Sequence, residues 1–141
     1  MKEIITRSPE ETEKFAEAFA KELLPGDVIA FEGGMGAGKT AFVRGLARGL
    51  GVHGEVSSPT FALVHEYPGS TPLFHFDMYR VVGMDDLYST GFFDYLDRDG
   101  ILAVEWSENI KDALEHSAIT IFIEILDENR RKITISGGNR F

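Results

Sequence analysis

Apolar residues along the chain recur with two different periods. Phe15, Phe19 and Leu23 stand at i, i+4 and i+8, a single apolar stripe that predicts a helix. Its start is written in Ser8-Pro9-Glu10-Glu11: Ser8 suits the N-cap, Pro9 the first helical position, and Glu11 completes a capping box. Pro25-Gly26 ends it. Asp27 to Glu32 is then a short apolar run of the kind that forms a buried strand. From Lys39 to Leu50 the spacing is helical again, with Phe42, Val43, Leu46, Ala47 and Leu50 on the buried face and Gly51 at the end. Gly45 and Gly49 inside this helix each cost about 1 kcal/mol relative to alanine, which close packing on a sheet would explain.

Residues 52–60 read as loop, Phe61 to Tyr67 as a strand, and Pro68-Gly69 as a turn. Leu73-Phe74-His75-Phe76 is a second buried strand that stops at Asp77. Asp85-Asp86-Leu87 begins a short helix, and Phe92 to Leu96 adds another turn or two. Ile101 to Val104 is a third buried strand, stopping at Glu105-Trp106, and Ser107 to Glu115 predicts a short helix. Toward the end the period changes to two. Ile119, Ile121, Ile123 and Ile125 alternate, Asp127-Glu128-Asn129 turns, and Ile133 and Ile135 alternate again, an antiparallel hairpin. Residues 1–7, with Ile4-Ile5, fit a short edge strand. The sum is an α/β fold, a central sheet of mixed parallel and antiparallel direction with flanking helices and a C-terminal hairpin.

Composition narrows the class. The 141 residues fit a single domain, 1–141, with one hydrophobic core. Apolar residues make up 43% and charged residues 26%, the balance of an ordinary globular protein. Net charge is −9, which argues against unaided nucleic-acid binding, because that needs clustered Lys and Arg to release counterions. Arg44 and Arg48, one helical turn apart, are the best local basic patch, although a solvated helix face is the simpler reading. With no cysteine, disulfides, zinc–thiolate sites and cysteine catalysis are excluded. No apolar run approaches the ~18 residues of a membrane span, and Met1-Lys2-Glu3 leads into no signal-peptide core. A cytoplasmic location is expected.

The candidate chemistry starts between the first buried strand and the helix that follows it. Gly33-Gly34-Met35-Gly36-Ala37-Gly38-Lys39-Thr40 reads G-x-x-x-x-G-K-T, a phosphate-binding loop in its proper strand–loop–helix context. Glycines let the backbone approach a ligand closely, and consecutive N–H groups then point into one concavity at the positive end of a helix. Gly33, Gly36, Ala37, Gly38, Lys39, Thr40 and Ala41 are the expected nucleotide contacts. Lys39 can reach the β- and γ-phosphates, and the Thr40 hydroxyl can ligate a bridging magnesium ion. The glycines do not have G-x-G-x-x-G spacing, which excludes a dinucleotide fingerprint.

Hydrolysis needs further groups to hold the metal and orient a nucleophile. Ligands in such sheets lie at the carboxyl ends of strands, so the acids that directly follow buried strands, Asp77 and Glu105, are the candidates. One would hold magnesium and the other would polarise water; the pattern alone does not say which. Ser57-Ser58-Pro59-Thr60 is a hydroxyl-rich loop in which Thr60 suits either a γ-phosphate sensor or a capping threonine. His75, mid-strand between two phenylalanines, reads as a hydrogen-bonded structural histidine. Trp106 suits site wall and core equally.

Taken together these motifs resemble the TsaE (YjeE) family, ATPases with a phosphate-loop NTPase-like fold required for making threonylcarbamoyladenosine in tRNA. The resemblance runs over nearly the whole chain. It rests on Gly33 to Thr40, on Ser58-Pro59-Thr60-Phe61 followed by Leu63 and Tyr67, on His75-Phe76-Asp77-Met78-Tyr79-Arg80 and on Val104-Glu105-Trp106. It implies that Thr40 and Glu105 ligate Mg2+, that Asp77 is needed for ATP hydrolysis together with Lys39, and that Thr60 lies in a switch-like segment. It also implies that an arginine of the last hairpin holds the nucleotide; Arg130 and Arg131 both fit, and Arg130 is preferred. Residues 8–12 are implied near the adenine, anchored only on Thr12 and Phe15. Where the family usually has Asp-Leu in the glycine loop, this chain has Gly34-Met35, which removes a carboxylate beside the phosphates.

The function implied is a magnesium-dependent ATPase that acts as a nucleotide switch on a TsaD–TsaB transferase complex and meets tRNA only through that complex, with no membrane partner. A small-molecule kinase using the same loop is the first alternative, but no Arg-rich lid stands out for it. A non-hydrolysing nucleotide sensor is the second. A guanine-specific GTPase is disfavoured because Asn109-Ile110-Lys111-Asp112 does not match N-K-x-D.

Overall fold

The computed structural model describes residues 1–33, 38–52, 64–78, 81, 83–105, 114, 118–138 and 140–141. Among these residues seven strands, β1 (Lys2–Thr6), β2 (Val28–Glu32), β3 (Val64–Tyr67), β4 (Leu73–Asp77), β5 (Ile101–Glu105), β6 (Ile119–Ile125) and β7 (Arg131–Gly137), form one sheet in the order β1-β7-β6-β2-β5-β4-β3. Strands β6, β2, β5 and β4 run parallel at its centre. Antiparallel strands close the two sides, β7 and β1 on one and β3 on the other. The mixed sheet expected from the sequence is therefore present, and the C-terminal hairpin is part of it, because β6 pairs with β2. The expected edge strand at the N-terminus is β1.

The central strands are buried on both faces, as their unbroken apolar runs require. One face carries Ile29, Phe31, Leu73, Ile101, Ala103 and the alternating isoleucines of β6 and β7, and packs against helices α1 (Pro9–Phe19) and α2 (Lys39–Gly49). The other carries Phe74, Phe76, Leu102 and Val104 and packs against α3 (Gly83–Ser89) and α4 (Phe92–Leu96). The expected helix over 107–115, apart from residue 114, the loop over 53–60 and the beginning of the strand over 61–63 lie outside the described residues.

Helix α1 begins as read from the sequence, with the Glu11 N–H donating to Ser8 Oγ and Pro9 in the first turn. The returning arm of the capping box differs. Glu11 Oε2 accepts from the N–H of Arg7, one residue before the cap. The helix also tightens into a 3-10 turn at Ala20–Glu22 before Pro25.

Gly45 and Gly49 correct a second expectation. They approach α1, not the sheet. A Cβ on Gly45 would lie 2.7 Å from the Ala16 Cβ and against the Glu13 carbonyl oxygen; one on Gly49 would lie 2.6 Å from the Ala20 Cβ and against the Glu17 carbonyl oxygen. The matched steps, 45 to 49 beside 13 to 17, mean that α1 and α2 run parallel, with both N-termini at the carboxyl edge of the parallel strands. Arg44 and Arg48 reinforce this contact through Glu13 and Glu17. The two arginines are thus spent on an interhelix ion-pair cluster.

Candidate nucleotide site

Strand β2 delivers the chain to the glycine loop. Gly33 leaves the strand at φ +135°, and Gly38 caps α2 at φ +104°; both lie in the region that side chains other than glycine rarely adopt. Nothing crowds a Cβ at Gly38, so its conformation sets the requirement for glycine there. Phe42 then anchors the first turns of α2, its ring 5.6 Å from Phe31 on β2 and 6.1 Å from Phe19 on α1. The helix start is thereby held over the carboxyl end of β2.

Lys39 is buried, and its Nζ donates to the Gly33 carbonyl at 3.1 Å, closing the loop from its last turn to its first residue. Thr40 and Ala41 follow in the first turn of α2. Gly36 and Ala37 lie outside the described residues, as do Thr60 and Trp106.

The two strand-end acids come together. Asp77 and Glu105 are register partners at the carboxyl ends of the adjacent parallel strands β4 and β5. Parallel neighbours in register share a face, and here it is the face covered by α1 and α2. Strand β5 also pairs with β2, so Glu105 stands between Asp77 and the exit to the glycine loop. Glu105 is buried, and its Oε2 accepts from His75 Nε2 at 2.9 Å. A carboxylate removed from water needs such a partner, since an uncompensated buried charge costs several kcal/mol. This contact joins residues thirty apart in sequence and gives the structural histidine a specific partner at the site. The available signal was the strand period: His75 precedes Asp77 by two and so shares its face.

The hairpin tip between β6 and β7 and the start of α1 lie at the same edge of the sheet. Arg130 Nε donates to Asp127 Oδ2 at 2.6 Å, and its side chain is half exposed. That bond, followed by the backbone N–H groups of Arg130 and Asn129, holds the Asp127 carboxyl below its ordinary range. Arg131 instead turns Nη1 onto the carbonyls of Asp127 and Arg130, at 2.8 and 2.9 Å. Both arginines thus help hold the turn, Arg131 through its carbonyls and Arg130 through the exposed Asp127 carboxylate. Thr12 is buried, 2.7 Å from the Thr6 hydroxyl, and ties α1 to β1.

Among the described residues no group of three or more His, Asp and Glu side chains could cage a metal ion. The oxygen donors at the site, the Thr40 hydroxyl and the Glu105 carboxylate, are those a hard cation takes, and magnesium in a phosphate loop relies on few protein ligands, with phosphates and water completing its shell. The donor set fits Mg2+.

A family model described as threonylcarbamoyl adenosine biosynthesis protein TsaE matches residues 6–133. The chain is 45% identical over 138 residues to the tRNA threonylcarbamoyladenosine biosynthesis protein TsaE of Aquifex aeolicus, covering 96% of each chain. It is 34% identical over 132 residues to the protein of the same name from Treponema pallidum, covering 94% of this chain and 98% of the other. The crystal structure of YdiB from Bacillus subtilis superposes with a TM-score of 0.82 at 37% identity, over 99% of this chain and 88% of that one. Among the described residues no helix is long and apolar enough to cross a membrane.

Proposed function

The chain belongs to the TsaE family of threonylcarbamoyladenosine biosynthesis proteins, and from that premise we propose that it is a magnesium-dependent ATPase acting as a nucleotide switch on the TsaD–TsaB transferase pair. The observation that carries the reading is the pairing of Asp77 with a buried, hydrogen-bonded Glu105 at the strand end beside the glycine loop. A bare phosphate-binding turn has no use for two carboxylates there.

In this reading the loop N–H groups and Lys39 hold the phosphates, with the α2 N-terminus adding its partial positive charge. Thr40 and Glu105 would hold Mg2+, which when bound would neutralise developing phosphate charge. Asp77, the neighbour of Glu105 away from the loop, orients the attacking water and accepts its proton. Arg130 reaches the nucleotide from the hairpin tip, while Arg131 keeps the tip in shape. Thr60 senses the γ-phosphate, and its loss on hydrolysis shifts a two-state equilibrium read by the partner. ATP is the substrate, and tRNA is met through the partner complex.

The test separates binding from chemistry. Lys39→Ala is expected to lose ATP binding with or without Mg2+. Glu105→Ala is expected to keep metal-free binding and to lose magnesium-supported phosphate release. A Glu105→Ala protein that hydrolyses ATP like the parent would refute the assignment. Transfer of the phosphoryl group to a metabolite in place of water would instead establish a kinase.

A further inference from the structure

His75 is a polar side chain in a strand whose other buried positions, Leu73, Phe74 and Phe76, are apolar. It has no exposed surface. Its Nε2 meets Glu105 Oε2 at 2.9 Å, and its Nδ1 is buried without a hydrogen-bond partner among the described residues. The carboxylate accepts, so in the neutral ring Nε2 carries the proton and Nδ1 keeps its lone pair. The opposite tautomer would strand a buried donor at Nδ1 and set the Nε2 lone pair against an anionic oxygen. An apolar side chain would fill this place without leaving a nitrogen unsatisfied. The one side-chain hydrogen bond that His75 makes among the described residues is therefore the feature to explain, and it ends on the Glu105 carboxylate at the strand end next to β2.

We propose that His75 is a positioning residue for the divalent cation: its Nε2–H fixes the Glu105 carboxylate in one orientation at the end of β5, ready to take the metal. The inference rests on the reading of Glu105 as a cation ligand. A Glu side chain loses rotamer freedom when it is ordered, and a donor already holding one oxygen removes that cost before the metal arrives. Outer-shell donors of this kind are worth ~10–100-fold in metal affinity.

Mn2+ titrated into the full chain with ADP, followed by the electron-paramagnetic signal of free Mn2+, reads the effect without turnover. His75→Leu should weaken Mn2+ binding by ~10–100-fold and leave ADP affinity in EDTA unchanged. His75→Gln, whose amide nitrogen reaches a position similar to imidazole Nε2, should recover most of the loss. A parent-like Mn2+ affinity in His75→Leu overturns the inference, as does a His75→Gln protein that falls as far as His75→Leu while still binding ADP. Should His75→Leu not fold, His75→Gln decides alone: near-parent Mn2+ affinity supports the role, and a loss of about tenfold or more with ADP binding intact refutes it. Long-range 15N spectra should show the Nε2–H tautomer, and an Nδ1–H signal contradicts it. Glu105→Gln separates the two readings. If it keeps parent Mn2+ affinity, Glu105 is no ligand and both fall; if it loses affinity while His75→Leu does not, only the role of His75 falls.

Discussion

Gly33 shows how much of the site is decided at single residues. At φ +135° an alanine there would be strained by ~1–3 kcal/mol, and the strain falls where the phosphates are expected. Gly33→Ala should therefore weaken ATP binding by about tenfold or more in equilibrium dialysis; an unchanged affinity would mean that the loop does not need this conformation. At the hairpin tip, Asp127 has a folded-state pKa below its unfolded value, first through Arg130 and then through backbone donors. Its contribution is present above the ordinary aspartate range and is lost as pH falls through the lowered value. An NMR titration should find its midpoint below that of a free aspartate, with the Asn129 and Arg130 amides shifting at the same pH. Several of these residues were legible in sequence. Ser8, Asp77 and Glu105 stand where an apolar pattern begins or stops, and such boundaries are local. The His75–Glu105 bond was not, because it exists only once β4 and β5 lie side by side. Nor could sequence show how Arg130 and Arg131 differ, since they are adjacent in the chain and only their partners, the Asp127 carboxylate for one and the turn carbonyls for the other, distinguish them.

The α1–α2 pair is the element-scale device that sets the helix N-terminus over the loop. Helix propensity alone says that Gly45→Ala should stabilise by about 1 kcal/mol. The clash with the Glu13 carbonyl and the Ala16 Cβ says the reverse, since overpacking a close contact costs ~1–3 kcal/mol. Urea unfolding of Gly45→Ala should give a lower midpoint than the parent; a higher one would mean that α1 does not sit so close. The periods of the helices and strands were readable because they are written within each element. Their neighbours were not. The glycines announced close packing, but sequence offered the sheet where α1 is the partner, because contact between elements is a long-range fact.

Across the whole molecule, the strand order gathers the glycine loop, the two acids, the hairpin tip and the start of α1 on one edge of the sheet. A mixed sheet was legible from buried runs early and alternation late. The pairing of β6 with β2, which brings the hairpin turn to the edge where the loop lies, was not, since no local pattern encodes strand order. On the proposed reading the net charge of −9 suits docking on a basic protein surface, so the association rate with a TsaD–TsaB pair should fall as ionic strength rises. In the proposed function this edge hydrolyses ATP in service of that complex. This role is tested most directly by magnesium-dependent phosphate release, measured for the parent and for Glu105→Ala, alone and with purified TsaD–TsaB and tRNA. The complex should stimulate hydrolysis in the parent, and Glu105→Ala should lack hydrolysis under every condition. Release that the complex leaves unchanged, or that survives in Glu105→Ala, would contradict the proposed function.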